Sequence, residues 1–202
     1  ILEVGVCGTD KEICSFAYGT PPDGERRLVI GHEGLGEVIE AGEKSGLSIG
    51  DLVIPTVRRP CGVAKCAACR AERQDFCFTG EFTERGIKGR HGYMTEEVVD
   101  EGRFMVRVPR ELRDVAVLVE PLTIAEKALL QVWQVQQRLP WACDIEDGKT
   151  GGHCHTAVIL GAGPVGLLGA MAFVAGGFRT VVYSREEARS PKADLVRSIG
   201  AE

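Results

Sequence analysis

Apolar and small residues alternate over positions 1–6 with a period of two, the pattern of a strand with one covered face. The same alternation returns over 34–41 (Leu35, Val38, Ile39), over Gly50–Pro55 and over Phe104–Pro109. Short strands closed by glycine turns, as at Gly42 and Gly50, predict a small β-barrel-like unit. Gly19, Pro21, Pro22 and Gly24 mark residues 16–30 as a surface loop. Beyond Pro109 the period changes. Leu112–Leu118 predicts a short helix, and apolar residues at 122, 125, 129, 132 and 135 predict a longer one over Leu122–Leu139, stopped by Pro140. The turn-rich stretch 141–152 then reads as a link. Thr156–Leu160 is a continuous apolar run, as in a strand buried on both faces. A helix over Leu167–Ala175 and a second strand over Thr180–Tyr183 follow. The pattern predicts a β-rich domain over residues 1–152 and the start of an α/β domain over 153–202.

Chemistry-bearing residues sit at the joints of this pattern. Between the second strand pair stands Gly31-His32-Glu33-Gly34; upstream is Cys7-Gly8-Thr9-Asp10, and downstream Glu120-Pro121. A thiolate, an imidazole and carboxylates are the donor mix of a catalytic zinc site with an open position. Each residue also has a plain structural explanation. Cys7 could be a small buried hydrophobe, Thr9 a helix cap, and Glu120 an acid at a helix start. Cys61, Cys66, Cys69 and Cys77 are separated by four, two and seven residues. Thiolates that close can surround one tetrahedral Zn²⁺, and in a lobe over about 58–80 with few hydrophobes the metal would act as its core. A redox pair at Cys66 and Cys69 is the competing explanation. Glu84 and His91 read as polar loop residues, and His153-Cys154-His155 as loop.

Gly161-Ala162-Gly163-Pro164-Val165-Gly166 lies between a strand and a helix, the context in which G-x-G-x-x-G binds a dinucleotide. Gly161 would make the turn, Gly163 admit the pyrophosphate and Gly166 bring helix to strand. At the end of the next strand, where an acid would bind the ribose hydroxyls of NAD, stand Ser184 and Arg185. Arg185 could hold a 2′-phosphate, which favours NADP and leaves NAD possible.

Composition narrows the classes. The chain has 202 residues and a formal charge of −5, with lysine and arginine dispersed, so a basic nucleic-acid footprint is absent. No apolar run is long enough to cross a bilayer; the nearest, 157–175, is broken by glycines and a proline. The eight cysteines, half of them clustered, point to metal binding and a reducing, cytoplasmic compartment rather than a disulfide framework. The first residues read as a strand already under way and the last stop where another strand should begin, so the chain is expected to be a piece of a longer one.

Taken in order, Cys7-Gly8-Thr9-Asp10, Gly31-His32-Glu33, the four-cysteine lobe and the glycine motif resemble the medium-chain, zinc-dependent alcohol dehydrogenase superfamily. Arg58-Arg59-Pro60-Cys61, Gln74-Asp75-Phe76-Cys77, Thr79-Gly80-Glu81-Phe82, Arg85-Gly86-Ile87, Glu120-Pro121-Leu122, Glu126-Lys127-Ala128 and Ser184-Arg185 resemble its glucose 1-dehydrogenase branch. The resemblance implies a GroES-like β-barrel catalytic domain followed by a truncated Rossmann-type parallel sheet, with the active site in the cleft between them. It implies catalytic zinc on Cys7 and His32, with Glu33 and Glu120 as direct or exchangeable ligands, and structural zinc on Cys61, Cys66, Cys69 and Cys77. The four-residue gap after Cys61 is longer than the two residues of many relatives. Thr9, Glu84 and Glu120 would contact a sugar, and Gly161 to Gly166 with Ser184 and Arg185 would bind the cofactor. The implied reaction oxidises an aldose at C1 to a lactone and passes hydride to NADP⁺ or NAD⁺, in a dimer or tetramer. A polyol, threonine or alcohol dehydrogenase, or a non-catalytic nucleotide- and zinc-binding protein, would use the same scaffold.

Overall fold

The computed structural model describes residues 1–140 and 151–202. It divides into two compact units, Ile1–Glu120 and Pro121–Glu202. Most of the expected link over 141–152 therefore lies outside the described residues.

In the first unit, β1 (Glu3–Gly5) leads into α1 (Gly8–Cys14). β2 (Glu33–Glu37) and β3 (Leu52–Pro55) follow, then β4 (Arg58–Arg59), α2 (Ala67–Arg70), β5 (Thr83–Arg85), β6 (Gly89–Arg90) and β7 (Met105–Val108). An antiparallel sheet in the order β1-β2-β3-β7 carries the core. Leu35, Leu52, Ile54, Val108 and Ala116 are buried together. The expected barrel is not closed among the described residues: four strands of three to five residues are too few and too short to close on themselves. The short helix expected over Leu112–Leu118 is instead two 3-10 turns, Arg110–Leu112 and Ala116–Leu118, which tuck Ala116 into that core.

A second sheet, β4-β5-β6, is anchored by charge rather than by hydrophobes. Arg59, 2% exposed, donates to Asp100 Oδ2 at 2.6 Å and packs over the Phe104 ring at 4.1 Å. Arg85 donates to the same oxygen at 2.6 Å and to the His91 carbonyl at 3.2 Å. Burial acts to raise the Asp100 carboxyl, but hydrogen bonds from Arg59, the Glu101 amide and Arg85 outweigh it and hold the group below its ordinary value. Tyr93 is fully buried and donates its hydroxyl to the Thr56 carbonyl at 2.8 Å.

The second unit contains most of α3 (Val119–Gln136), then β8 (Thr156–Leu160), α4 (Pro164–Ala175), β9 (Arg179–Tyr183) and α5 (Pro191–Ser198). α3 starts three residues before the expected position because Pro121 fits its first turn, where no amide bond is lost. β8 and β9 pair in parallel, from Thr156↔Arg179 to Leu160↔Tyr183. Ala157 packs with Leu129, Ala172 and Phe178, and Ile159 with Ala170 and Val196. Val158 and Leu160 are 60% and 80% exposed, so β8 is not buried on both faces as its apolar run suggests. Among the described residues its helices cover one side only. α5 has a clear start signal that periodicity overlooks, with Ser190 Oγ accepting from the Ala193 amide at 3.2 Å ahead of Pro191. His153, Cys154 and His155 lie outside helix and strand, as expected, and Cys154 is disulfide-bonded. No helix of the described residues is long and apolar enough to cross a membrane.

Candidate metal centre and nucleotide loop

The first site is assembled by backbone contacts. Gly31 adopts φ +87°, open to glycine, and turns the chain into His32. The amides of Gly92, Tyr93 and Met94 donate to the carbonyls of Val29, Gly31 and Ile30 at 2.7, 2.8 and 3.0 Å. A Cβ at Gly92 would overlap the Gly31 and Ile30 carbonyl oxygens, so the two segments meet only because Gly92 has no side chain. His91 reinforces the contact: Nδ1 accepts from the Val29 amide at 3.1 Å, which places its proton on Nε2, toward Glu25 at 2.9 Å.

Asp10 brings α1 to this loop. It is 2% exposed, and its carboxylate accepts from the Cys7 amide at 3.0 Å and the Gly31 amide at 3.2 Å. One acid thus fixes both turns, the one at Cys7 and the one that leads into His32. Cys7, not Thr9, caps α1; Thr9 lies in its first turn, two residues beyond Cys7. Cys7 Sγ is 3.2 Å from His32 Nε2, and Glu33 joins them, one ligand atom from each residue lying within 4.8 Å of the others. Two ligands of one tetrahedral zinc, sulfur and nitrogen, stand about 3.5 Å apart. His32 Nδ1 is buried without a hydrogen-bond partner and faces Asp10 Oδ1 at 3.6 Å. Carboxylate, imidazole and thiol therefore fall in the order in which an outer acid orients a metal-binding histidine. Gly5, paired with Glu33 across the ladder, leaves the space that the glutamate carboxyl occupies. These residues fit a divalent metal.

Glu120 is not one of the three clustered donors. Burial, followed by the charges of Glu33 and Asp10, pushes its carboxyl up to about 7. Glu84, 8% exposed on β5, is held by Arg58 and is not in the donor cluster.

The second cluster unites Cys61, Cys66, Cys69 and Cys77, with ligand atoms all within 4.8 Å of one another. Cys61 is included despite its long gap. Cys66 is fully buried, and its sulfur is 3.9 Å from that of Cys77, near the about 3.8 Å separating two sulfurs on one zinc. The Thr79 hydroxyl, 3.2 Å from Cys77 Sγ, leads the influences that bring that thiol down to about 6. The Cys61 amide acts to lower Cys69, but desolvation and the neighbouring thiols drive it up to about 12. Four thiols in this space ionise together only around a cation, so this donor set also fits a metal.

In the second unit, Gly161 has φ +107° and its amide donates to the Tyr183 carbonyl at 2.9 Å. A Cβ at Gly166 would overlap the Gly161 carbonyl oxygen, so this glycine sets how closely turn and helix pack. Gly163 caps α4, with Pro164 and Val165 opening the helix. Ala162, Ser184, Glu186 and Arg197 are among the residues lining a hollow of about 200 Å³ at the ends of β8 and β9. Arg185 is exposed beside it in sequence, and Lys192 pairs with Glu186 at 2.6 Å.

Known proteins match along the whole chain. Residues 1–110 match the alcohol dehydrogenase GroES-like domain and 113–202 the glucose dehydrogenase C-terminus. The glucose 1-dehydrogenase of Metallosphaera sedula is 45% identical over 199 residues, which cover 98% of this chain and 53% of that protein. That of Methanocella arvoryzae is 40% identical over 203 residues, covering 100% and 53%. The structure of Haloferax mediterranei glucose dehydrogenase in complex with NADP, Zn and gluconolactone superimposes with a TM-score of 0.83 at 34% identity, over 98% of this chain and 53% of that one. The chain thus spans about half the length of the curated relatives it matches. With these matches joined to the thiol-imidazole-carboxylate cluster, the chain belongs to the zinc-dependent medium-chain alcohol dehydrogenases and carries their GroES-like domain.

Proposed function

We propose that the protein oxidises an aldose, glucose foremost, at C1 to the lactone and passes the hydride to NADP⁺, with NAD⁺ as a lesser acceptor. The observation that carries this is the Cys7-His32-Glu33 cluster braced by buried Asp10. The 45% identity to a glucose 1-dehydrogenase and the likeness to an enzyme that holds NADP, Zn and gluconolactone support it.

Cys7, His32 and Glu33, with Glu120 directly or through water, would hold the catalytic zinc; Cys61, Cys66, Cys69 and Cys77 would hold the structural one. The catalytic metal supplies Lewis acidity that favours loss of the proton from the C1 hydroxyl. Asp10 fixes the His32 ring, and the Thr9 hydroxyl takes the C1 proton toward solvent. Glu33 and Glu120 moderate the positive charge. Thr9, Glu84 and Glu120 hold the sugar by its hydroxyls. The bound nicotinamide would supply the hydride acceptor for oxidation at C1, with the lactone as product. Residues 1–152 would form the catalytic domain and 153–202 the first part of a Rossmann-type domain. There Gly161 to Gly166 receive the pyrophosphate, and Ser184 and Arg185 receive the 2′-phosphate. We take the enzyme to be a cytoplasmic dimer or tetramer that acts on a small sugar and engages neither nucleic acid nor membrane.

Initial rates on the complete gene product with zinc, glucose and NADP⁺ or NAD⁺ test the proposal. NADPH production supports it. Turnover of sorbitol, threonine or a simple alcohol, with none of any aldose, would move the activity to another branch. Nucleotide binding without turnover of any of these would make it a binding protein.

A further inference from the structure

The guanidinium of Arg58 joins two regions that the sequence keeps apart. Arg58 stands opposite Glu84 in the β4–β5 ladder. Its Nε and Nη2 both donate to Glu84 Oε1, at 3.0 and 2.8 Å. Its Nη1 donates to the Asp75 carbonyl at 3.2 Å, in the 3-10 turn Gln74–Phe76 that runs directly into Cys77. The guanidinium also lies 4.0 Å above the Phe82 ring. The Glu84 backbone is already fixed, since its amide donates to the Lys88 carbonyl at 2.7 Å and its carbonyl accepts from Ile87 and Lys88. What remains to be set is the direction of its carboxylate, and Arg58 sets that through Oε1, leaving Oε2 for a hydroxyl donor.

We propose that Arg58 is a positioning residue for the sugar: it aims the Glu84 carboxylate and takes its own position from the Asp75 carbonyl, so the shape of the four-cysteine lobe tunes sugar affinity. This rests on Glu84 contacting the substrate, as proposed above. A rigid fork of donors can serve a carboxylate and a backbone carbonyl together. A lysine ammonium at the same place keeps the charge but does not span both acceptors.

The test uses the complete gene product and three variants, Arg58→Lys, Glu84→Gln and Cys61→Ser, alone and combined, with zinc content and thermal midpoint recorded for each. Sugar affinity is read without turnover, as glucose binding to the enzyme–NADPH complex by calorimetry, and again as glucose KM. Arg58→Lys is expected to weaken glucose binding about tenfold or more. Its kcat should stay within about threefold and its KM for NADP⁺ and zinc content should hold, since only the substrate contact is disturbed. Added to Glu84→Gln, it should weaken binding no further. Cys61→Ser should weaken glucose binding in the wild-type background and leave it unmoved in the Arg58→Lys background. Unchanged glucose binding in Arg58→Lys, or full additivity with Glu84→Gln, overturns the proposal. So does a uniform loss of sugar affinity, nucleotide affinity and thermal midpoint, which marks a merely structural arginine. Absence of aldose binding by the wild type would overturn the proposed function and this inference together; normal wild-type turnover with an unaltered Arg58→Lys would overturn the coupling alone.

Discussion

The two metal-fitting clusters are built in opposite ways. The four-cysteine lobe draws its donors from one stretch, 61–77, and offers four copies of one ligand type. The other cluster takes a thiol from the mouth of α1 and an imidazole and a carboxylate from the start of β2, 25 residues later. It borrows its geometry from buried Asp10 and from the backbone of residues 92–94. A site whose ligands are contiguous needs the metal to hold it. A site whose ligands are dispersed is held by the fold and can leave coordination positions for chemistry.

The largest break in this contrast should come from His32→Ala. Turnover should fall by about a thousandfold or more, while zinc per chain drops from about two to about one because the lobe keeps its ion. Elemental analysis beside initial rates checks both; loss of both zincs would show that the clusters are not independent.

Asp100→Asn tests the scaffold rather than either cluster. Removing one partner of a buried charge pair costs about 3 kcal/mol. The wild-type contribution also has a defined acid limit. The folded carboxyl lies below its ordinary value of 3.8, so its stabilisation is complete above that pH and is lost as pH falls through the depressed native value. Denaturant midpoints from pH 7 down to acid should converge for wild type and variant; a constant difference would remove Asp100 from the acid response.

Asp10→Asn sharpens the comparison. Metal affinity at the dispersed site should drop about 10- to 100-fold, with the lobe unaffected, as competition with a chelator would show. The smallest effect is expected from Arg185→Ala, which should raise KM for NADP⁺ about tenfold and leave NAD⁺ kinetics unchanged. Equal changes with both cofactors would disconnect Arg185 from the 2′-phosphate.

The same contrast explains what could be read beforehand. The lobe and the glycine turn are legible because their donors lie close in sequence, and short-range spacing limits their geometry. His32 and Cys7 are nameable by residue type, but nothing local identifies Asp10, an ordinary acid inside a helix, as the group that fixes both. The Arg59–Asp100–Arg85 pairing spans 41 positions, and Arg58–Glu84 spans 26, so both appear only once β4 and β5 are in register. The apolar run of β8 predicts a strand correctly but not its exposure, because hydropathy reports what a face prefers and not what covers it.

The close approach of Gly31 and Gly92 has a consequence for engineering. Apart from Asp10 and His91, the loop that presents His32 is held by main-chain amides and by the lack of a Cβ, so its position depends little on the identity of the other side chains around it. On the proposed sugar contacts, libraries that diversify Thr9 and Glu84 should keep a high fraction of zinc-loaded members by elemental analysis, while randomising Gly31 or Gly92 should empty the library. The fold thus separates side chains that selection can vary from a backbone contact that selection must leave alone.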